Sequence, residues 1–118
     1  MKKNTLGQTL TVNSSTHLSV GFVLMPSFPL LPFSAFVDAL RLAADDGGQS
    51  RQINCQWALM GHTLEAITSS SGVAVQPWET YRDPADFDYV VVVGGLLDNT
   101  LKGSQHVIDY LQQVDAAH

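Results

Sequence analysis

The run Phe87-Asp88-Tyr89-Val90-Val91-Val92-Val93-Gly94-Gly95-Leu96-Leu97 constrains the fold more than any other stretch of the chain. Its four consecutive valines are apolar on both faces. That pattern predicts a central parallel strand covered by helices on both sides. The run stops at two glycines. In an open α/β sheet, ligands bind beyond the carboxyl ends of the central strands. Glycines there let backbone approach a ligand and leave amide N–H groups free to donate. The feature points to a binding site at the sheet end and leaves the ligand open.

The rest of the chain supplies partners for that strand. His17 to Met25 reads as a first strand: Leu18, Val20, Phe22 and Leu24 alternate, and Val23 and Met25 make the second face apolar. Met25-Pro26-Ser27-Phe28-Pro29 stops it, because proline cannot donate to a ladder. A helix is predicted over Leu31–Asp46, with Pro32 in its first turn. Phe33, Phe36, Val37, Leu40, Ala43 and Ala44 fall on its inner face, and Ser34, Asp38, Arg41 and Asp45 on its outer one. Gly47-Gly48 ends it. Ile53–Met60 reads as the second strand, completing a right-handed β-α-β unit. The first strand should lie between the second and the valine strand.

Two short β segments follow, Leu64–Thr68 and Val73–Gln76, separated by the turn residues Ser69-Ser70-Ser71-Gly72. Asp83–Asp86 reads as a turn or a single helical turn. A last helix is expected over Thr100–Ala116, capped by Asn99 or Thr100. Leu101, Val107, Ile108, Leu111 and Val114 form its apolar stripe. Residues 1–16 are polar, without periodicity, and read as a poorly ordered tail. The domain is expected to span 17–118. The valine strand lacks an evident second neighbour, so the chain reads as the front part of a longer domain, incomplete at its C-terminal side.

Composition narrows the partners. The 118 residues carry 6 Lys+Arg against 11 Asp+Glu, a net charge of −5, and no basic cluster. That argues against a nucleic-acid surface on this chain. Only 14% of residues are charged, which suggests a surface partly covered by a partner or by further chain. Cys55 is the only cysteine, so no intrachain disulfide forms, in keeping with a reducing compartment. No apolar run approaches the length of a membrane span and no signal-peptide core follows Lys2-Lys3. A cytoplasmic protein is expected, with no membrane partner.

The order of these segments is similar to a known family. A strand leads into a Pro-Ser-Phe loop, then a helix carrying Val37-Asp38-Ala39-Leu40-Arg41, then a second strand. Ser70-Ser71-Gly72-Val73 follows, with Pro77, and finally Asp88-Tyr89, the four valines and Gly94-Gly95. Together they resemble the PfpI-like branch of the class I glutamine-amidotransferase-like superfamily. More narrowly, they resemble the amino-terminal sensor domain of AraC-family transcription regulators of the GlxA type. The likeness covers roughly residues 18–115. It implies a flavodoxin-like α/β three-layer sandwich with a mostly parallel sheet. In the enzymes of that superfamily, a glutamate of the first strand–helix loop partners a cysteine on a later strand-to-helix elbow. Here Pro26 to Phe36 holds no acidic residue, and the elbow would fall beyond His118. What carries over is a pocket position and no activity.

The resemblance therefore implies a non-catalytic sensor that binds a small-molecule effector, an amino-acid-like or quaternary-amine metabolite. The pocket would lie between Pro26–Phe36 and Gly94–Leu97, with Pro26, Ser27, Phe28, Phe33, Gly94, Gly95 and Leu96 as its residues. DNA would be met only through a module not present in this chain. A homodimer is expected, since the valine strand has a flat apolar edge. The alternative is a PfpI-like hydrolase, amidase or glyoxalase-type enzyme whose nucleophile lies downstream.

The residues have plainer readings as well. Gly94-Gly95-Leu96 serves equally as a tight exit turn. Pro26–Pro29 serves as a rigid connection. Cys55, inside a strand, reads as a small buried hydrophobe. His17, His62, His106 and His118 are scattered, without the close spacing of metal ligands, and read as incidental. Trp57 and Trp78 read as core or interface. Asp83, Asp86 and Asp88 read as turn formers rather than a calcium loop. No G-x-G-x-x-G is present, and no cofactor is expected.

Overall fold

The computed structural model describes residues 2–3, 9–10, 18–95 and 105–118. A four-stranded sheet organises it. Strand β3 (Leu18–Leu24) lies between β4 (Cys55–Gly61) and β8 (Tyr89–Val93), and β7 (Glu79–Thr80) flanks β4, giving the order β7-β4-β3-β8. All three pairings are parallel. Leu18 stands opposite Cys55, and Leu24 opposite Val93. Two short antiparallel pairs lie outside the sheet: β1 (Lys2–Lys3) with β2 (Thr9–Leu10), and β5 (Ile67–Thr68) with β6 (Ala74–Val75).

Side-chain alternation splits the core into two layers. Val20, Phe22 and Leu24 of β3 join Cys55, Trp57, Leu59 and Val93 under helix α1 (Leu30–Ala44). Phe33, Leu40 and Ala44 are that helix's buried residues. On the other face Val23, Met25, Ala58, Met60 and Phe87 meet Val107 and Tyr110 of helix α2 (Gln105–Ala117). β3, buried on both faces, has a helix on each side. β8, expected to be central and covered, is instead the outer strand among the described residues, and of its four valines only Val93 is buried. The architecture is the flavodoxin-like α/β sandwich implied by the sequence.

Several details differ from the sequence reading. α1 ends at Ala44, and Asp45, expected to face out, is buried at 6% exposure. Its carboxylate is the reason. It accepts from the Gln49 amide at 2.9 Å, the Arg51 amide at 2.8 Å and Arg51 Nε at 3.2 Å. Bonds of this kind to the charged form hold its pKa at about 2, with the Arg51 amide contributing most. An acid with such a set of donors serves as an internal turn brace. Ala43 is exposed and does not share the inner face. The α2 stripe also shifts, with Tyr110 buried and Ile108 at 44% exposure. β4 starts at Cys55, leaving Ile53 largely exposed, and β7 lies in a stretch given no strand. Trp57 is in the core, while Trp78 is exposed. The proposed cap at Asn99 or Thr100, and Leu101 with it, lie outside the described residues, as does most of the 1–16 segment.

Candidate functional site at the carboxyl end of the sheet

The site starts where β3 ends. Met25 N–H still donates to Val93 O at 3.0 Å, tying the end of β3 to β8. The chain then turns: Phe28 N–H donates to Met25 O at 3.0 Å, and Ser27 takes a φ of 62°. Left-handed backbone is costly for a residue with a side chain, and such outliers gather at functional sites. The turn is sewn to the β5–β6 hairpin. Ser27 N–H donates to Thr68 O at 2.8 Å and Ser70 N–H to Phe28 O at 2.9 Å.

Between this turn and the end of β4 lies a cleft of about 410 Å³. Pro26, Ser27, His62, Glu65, Tyr81 and His106 are among its lining residues. Its far wall is a ladder of rings. His62 and His106 stack with centroids 4.0 Å apart and planes 11° apart. His106 Nδ1 and Tyr81 Oη share a hydrogen bond of 3.0 Å. Tyr81 stacks on Tyr110 at 4.6 Å, and Tyr110 Oη donates to Arg82 O at 2.6 Å. Burial pushes both phenols up to about 12. His106 is pushed down, first by burial and then by the neighbouring His62 ring. At neutral pH the ladder is therefore neutral at His106, Tyr81 and Tyr110. Behind it, a second hollow of about 330 Å³ is lined by Arg82, Asp83 and Asp109 with the ladder itself.

The residues singled out from sequence divide among three places. Pro26 and Ser27 line the cleft. Phe33 and Gly94 line a separate apolar hollow of about 210 Å³ under α1, beside Phe36 and the β8 valines. Phe28 is wholly buried and belongs to the core. Gly95 follows Gly94 at the exit from β8, half-buried, and Leu96 lies outside the described residues. A methyl group added at Gly94 would meet nothing within 4 Å. His62 and His106, read as incidental, are brought together by the sheet end, and Tyr81 joins them. No local spacing signals this, because the contact is made only when α2 packs back on the sheet.

Cys55 is buried at the start of β4, opposite Leu18 and at the other end of the sheet from Gly61. Six residues of strand separate it from the cleft end, roughly 20 Å. Among the described residues no group of three or more His, Cys, Asp or Glu could hold a metal ion. Among them also, no helix is long and apolar enough to cross a membrane.

No family model matches the sequence, and no curated protein matches it. Solved structures do match. An AraC family transcriptional regulator from Pseudomonas putida superposes with a TM-score of 0.64 at 18% identity, over 85% of this chain and 51% of that one. A DJ-1 superfamily protein from Agrobacterium tumefaciens gives 0.61 at 20% identity, over 84% of this chain and 48% of that one. A ThiJ/PfpI family protein from Pseudomonas syringae gives 0.61 at 16% identity, over 84% and 38%. The fold is that of the DJ-1/PfpI proteins. The chain spans about half, or less, of the length of these structures.

Proposed function

We propose that this chain is a ligand-sensing, non-catalytic domain of an AraC-type transcription regulator working in the cytoplasm. The observation that carries the reading is the make-up of the sheet-end cleft. It is large enough for a small metabolite, its first loop holds no acid, and Cys55 sits at the opposite end of the sheet. A site with pocket, donors and rings is suited to recognition. The shared fold with an AraC family regulator supports the same direction. Effector binding would act by favouring one of two pre-existing states of the regulator. A thermal-shift screen of amino-acid-like and quaternary-amine metabolites tests this, run beside turnover assays with amide and ketoaldehyde substrates. A saturable rise in Tm without turnover is expected. Because the enzyme reading places its nucleophile beyond His118, turnover by a longer natural chain that includes it would favour that reading, which the DJ-1 and ThiJ/PfpI likenesses keep in view.

The assembly proposed with it is a two-fold dimer. Among the described residues β8 is the outer strand of the four-stranded sheet, with Tyr89 and Val92 exposed on it. An unpaired apolar edge offers N–H and C=O groups to a second copy. Sedimentation should show a dimer, and a monodisperse monomer at high concentration would contradict it.

A further inference from the structure

Two stacked imidazoles and two helix starts converge on the same end of the sheet. α1 begins at Leu30, just after the Pro26–Pro29 turn, with no side-chain cap and no acid in its first turn. α2 begins at Gln105, also without an acid in its first turn, and His106 is its second residue. A helix N-terminus carries free N–H groups and roughly half a positive charge. Neither helix spends that charge on a carboxylate of its own first turn. The first turn of α1 borders the apolar hollow of Phe33 and Gly94, and the start of α2 borders the cleft, where His62 and His106 stack 4.0 Å apart. His62 is exposed, and its ring nitrogens meet no hydrogen-bond partner among the described residues.

Among the described residues few charged groups face the cleft. Glu65, on the β4–β5 connection, is the one carboxylate among the cleft's lining residues, and it is exposed. Behind the ladder, Asp109 accepts from Gln105 Nε2 at 2.8 Å and still attracts the charged form of His106, less strongly than burial and His62 oppose it. Arg82 there pairs with Glu79 at 3.5 Å and Asp86 at 3.6 Å, and Asp83 accepts from the Ala85 amide. Tyr81 and Tyr110 remain phenols throughout the working range.

We infer that the cleft takes the oxyanion group of a small ligand, a carboxylate or a phosphate, against the His62–His106 pair and the Tyr81 hydroxyl. This rests on the sensor reading and names the chemistry its effector must carry. Burial and the His62 ring 4.0 Å away both disfavour the charged form of His106, so the unliganded site resists protonation there. An anion beside His106 supplies a counter-charge, and binding draws a proton onto that ring. The sign follows: an anion favours the charged imidazoles, so affinity rises as pH falls through the histidine range and declines above it.

Calorimetry on the full chain tests this with acetate and inorganic phosphate as separate probes and acetamide as the neutral control. At least one anion should bind ~10-fold or more tightly at about pH 5.5 than at about pH 8. Which anion binds tells carboxylate from phosphate. His62→Gln, at an exposed position that leaves the core untouched, should weaken binding roughly fivefold at the lower pH and flatten the pH dependence. Equal binding of acetamide and acetate, an unchanged pH profile in His62→Gln, or no binding of either anion would overturn the inference. The sensor reading would still stand if a neutral or cationic metabolite raised Tm. It would fall separately, if no metabolite of any charge raised Tm.

Discussion

Replacing Phe22 with alanine is expected to remove about 3–5 kcal/mol of stability, the largest single-residue effect in this molecule. Phe22 is in the middle of the central strand and has no exposed surface. Its ring meets Phe33 edge-on at 5.6 Å and Phe36 at 5.2 Å, so one side chain joins β3 to two turns of α1. Alanine loses the transfer energy of the ring and leaves a void that the surrounding strands cannot close. Both neighbouring strands are hydrogen-bonded to β3 in fixed register, which limits collapse. A conservative Phe22→Leu change keeps most of the volume and should cost only a fraction of this. Thermal or urea unfolding measures it, with a fall in Tm of roughly 15 °C or more for alanine. A loss below about 1 kcal/mol would mean that Phe22 is not at the centre of the packed layer.

The neighbouring residue tests the opposite layer. Gly21→Val should destabilise by about 1–3 kcal/mol through overpacking. A Cβ at Gly21 would fall 2.8 Å from Met60 Cε and 2.8 Å from Phe87 Cε2. The methionine end can swing aside, because its side chain is flexible. The phenylalanine ring cannot do so easily: it is buried at 3% exposure, and the Arg82 guanidinium lies over it at 4.5 Å. Gly21 is therefore glycine because the Phe87 ring occupies the place of its side chain. Gly94→Ala is the matched control, since its added methyl enters open space and should change stability by less than about 0.5 kcal/mol. If Gly21→Val were as mild as Gly94→Ala, Phe87 would not lie against β3 as described.

These two positions also show what the sequence makes legible. The alternation of Leu18, Val20, Phe22 and Leu24 and the β-α-β spacing report burial of the first strand on two faces, whereas the double-faced valines mark a strand that is outermost among the described residues, with only Val93 buried. Strand order and the two-layer core follow from them. Asp45 was not legible, because its acceptor role depends on a turn that brings back the Gln49 and Arg51 amides. β7 was not legible either, being two residues paired to the end of β4. The cleft was half legible. A sheet end with a Pro-Ser-Phe turn marks the place, and Pro26 and Ser27 line it. The ladder of His62, His106, Tyr81 and Tyr110 is built by residues far apart in the chain and carries no local pattern. Phe28 and Phe33 show the limit of reading a loop as a pocket wall: apolar side chains at a sheet end are drawn into the core or under the helix as readily as toward a ligand.

The central claim is that the cleft bounded by the Pro26–Ser27 turn and the His62–His106 pair is where this chain meets its effector. Amide hydrogen exchange tests it most directly, comparing the free chain with the chain saturated by a metabolite that raises its Tm. The account predicts slowed exchange in the turn after β3, in residues 62–68 and at the start of α2, with no change around Cys55 at the opposite end of the sheet. Protection confined to the Cys55 end, or to the apolar hollow beside Gly94, would contradict it.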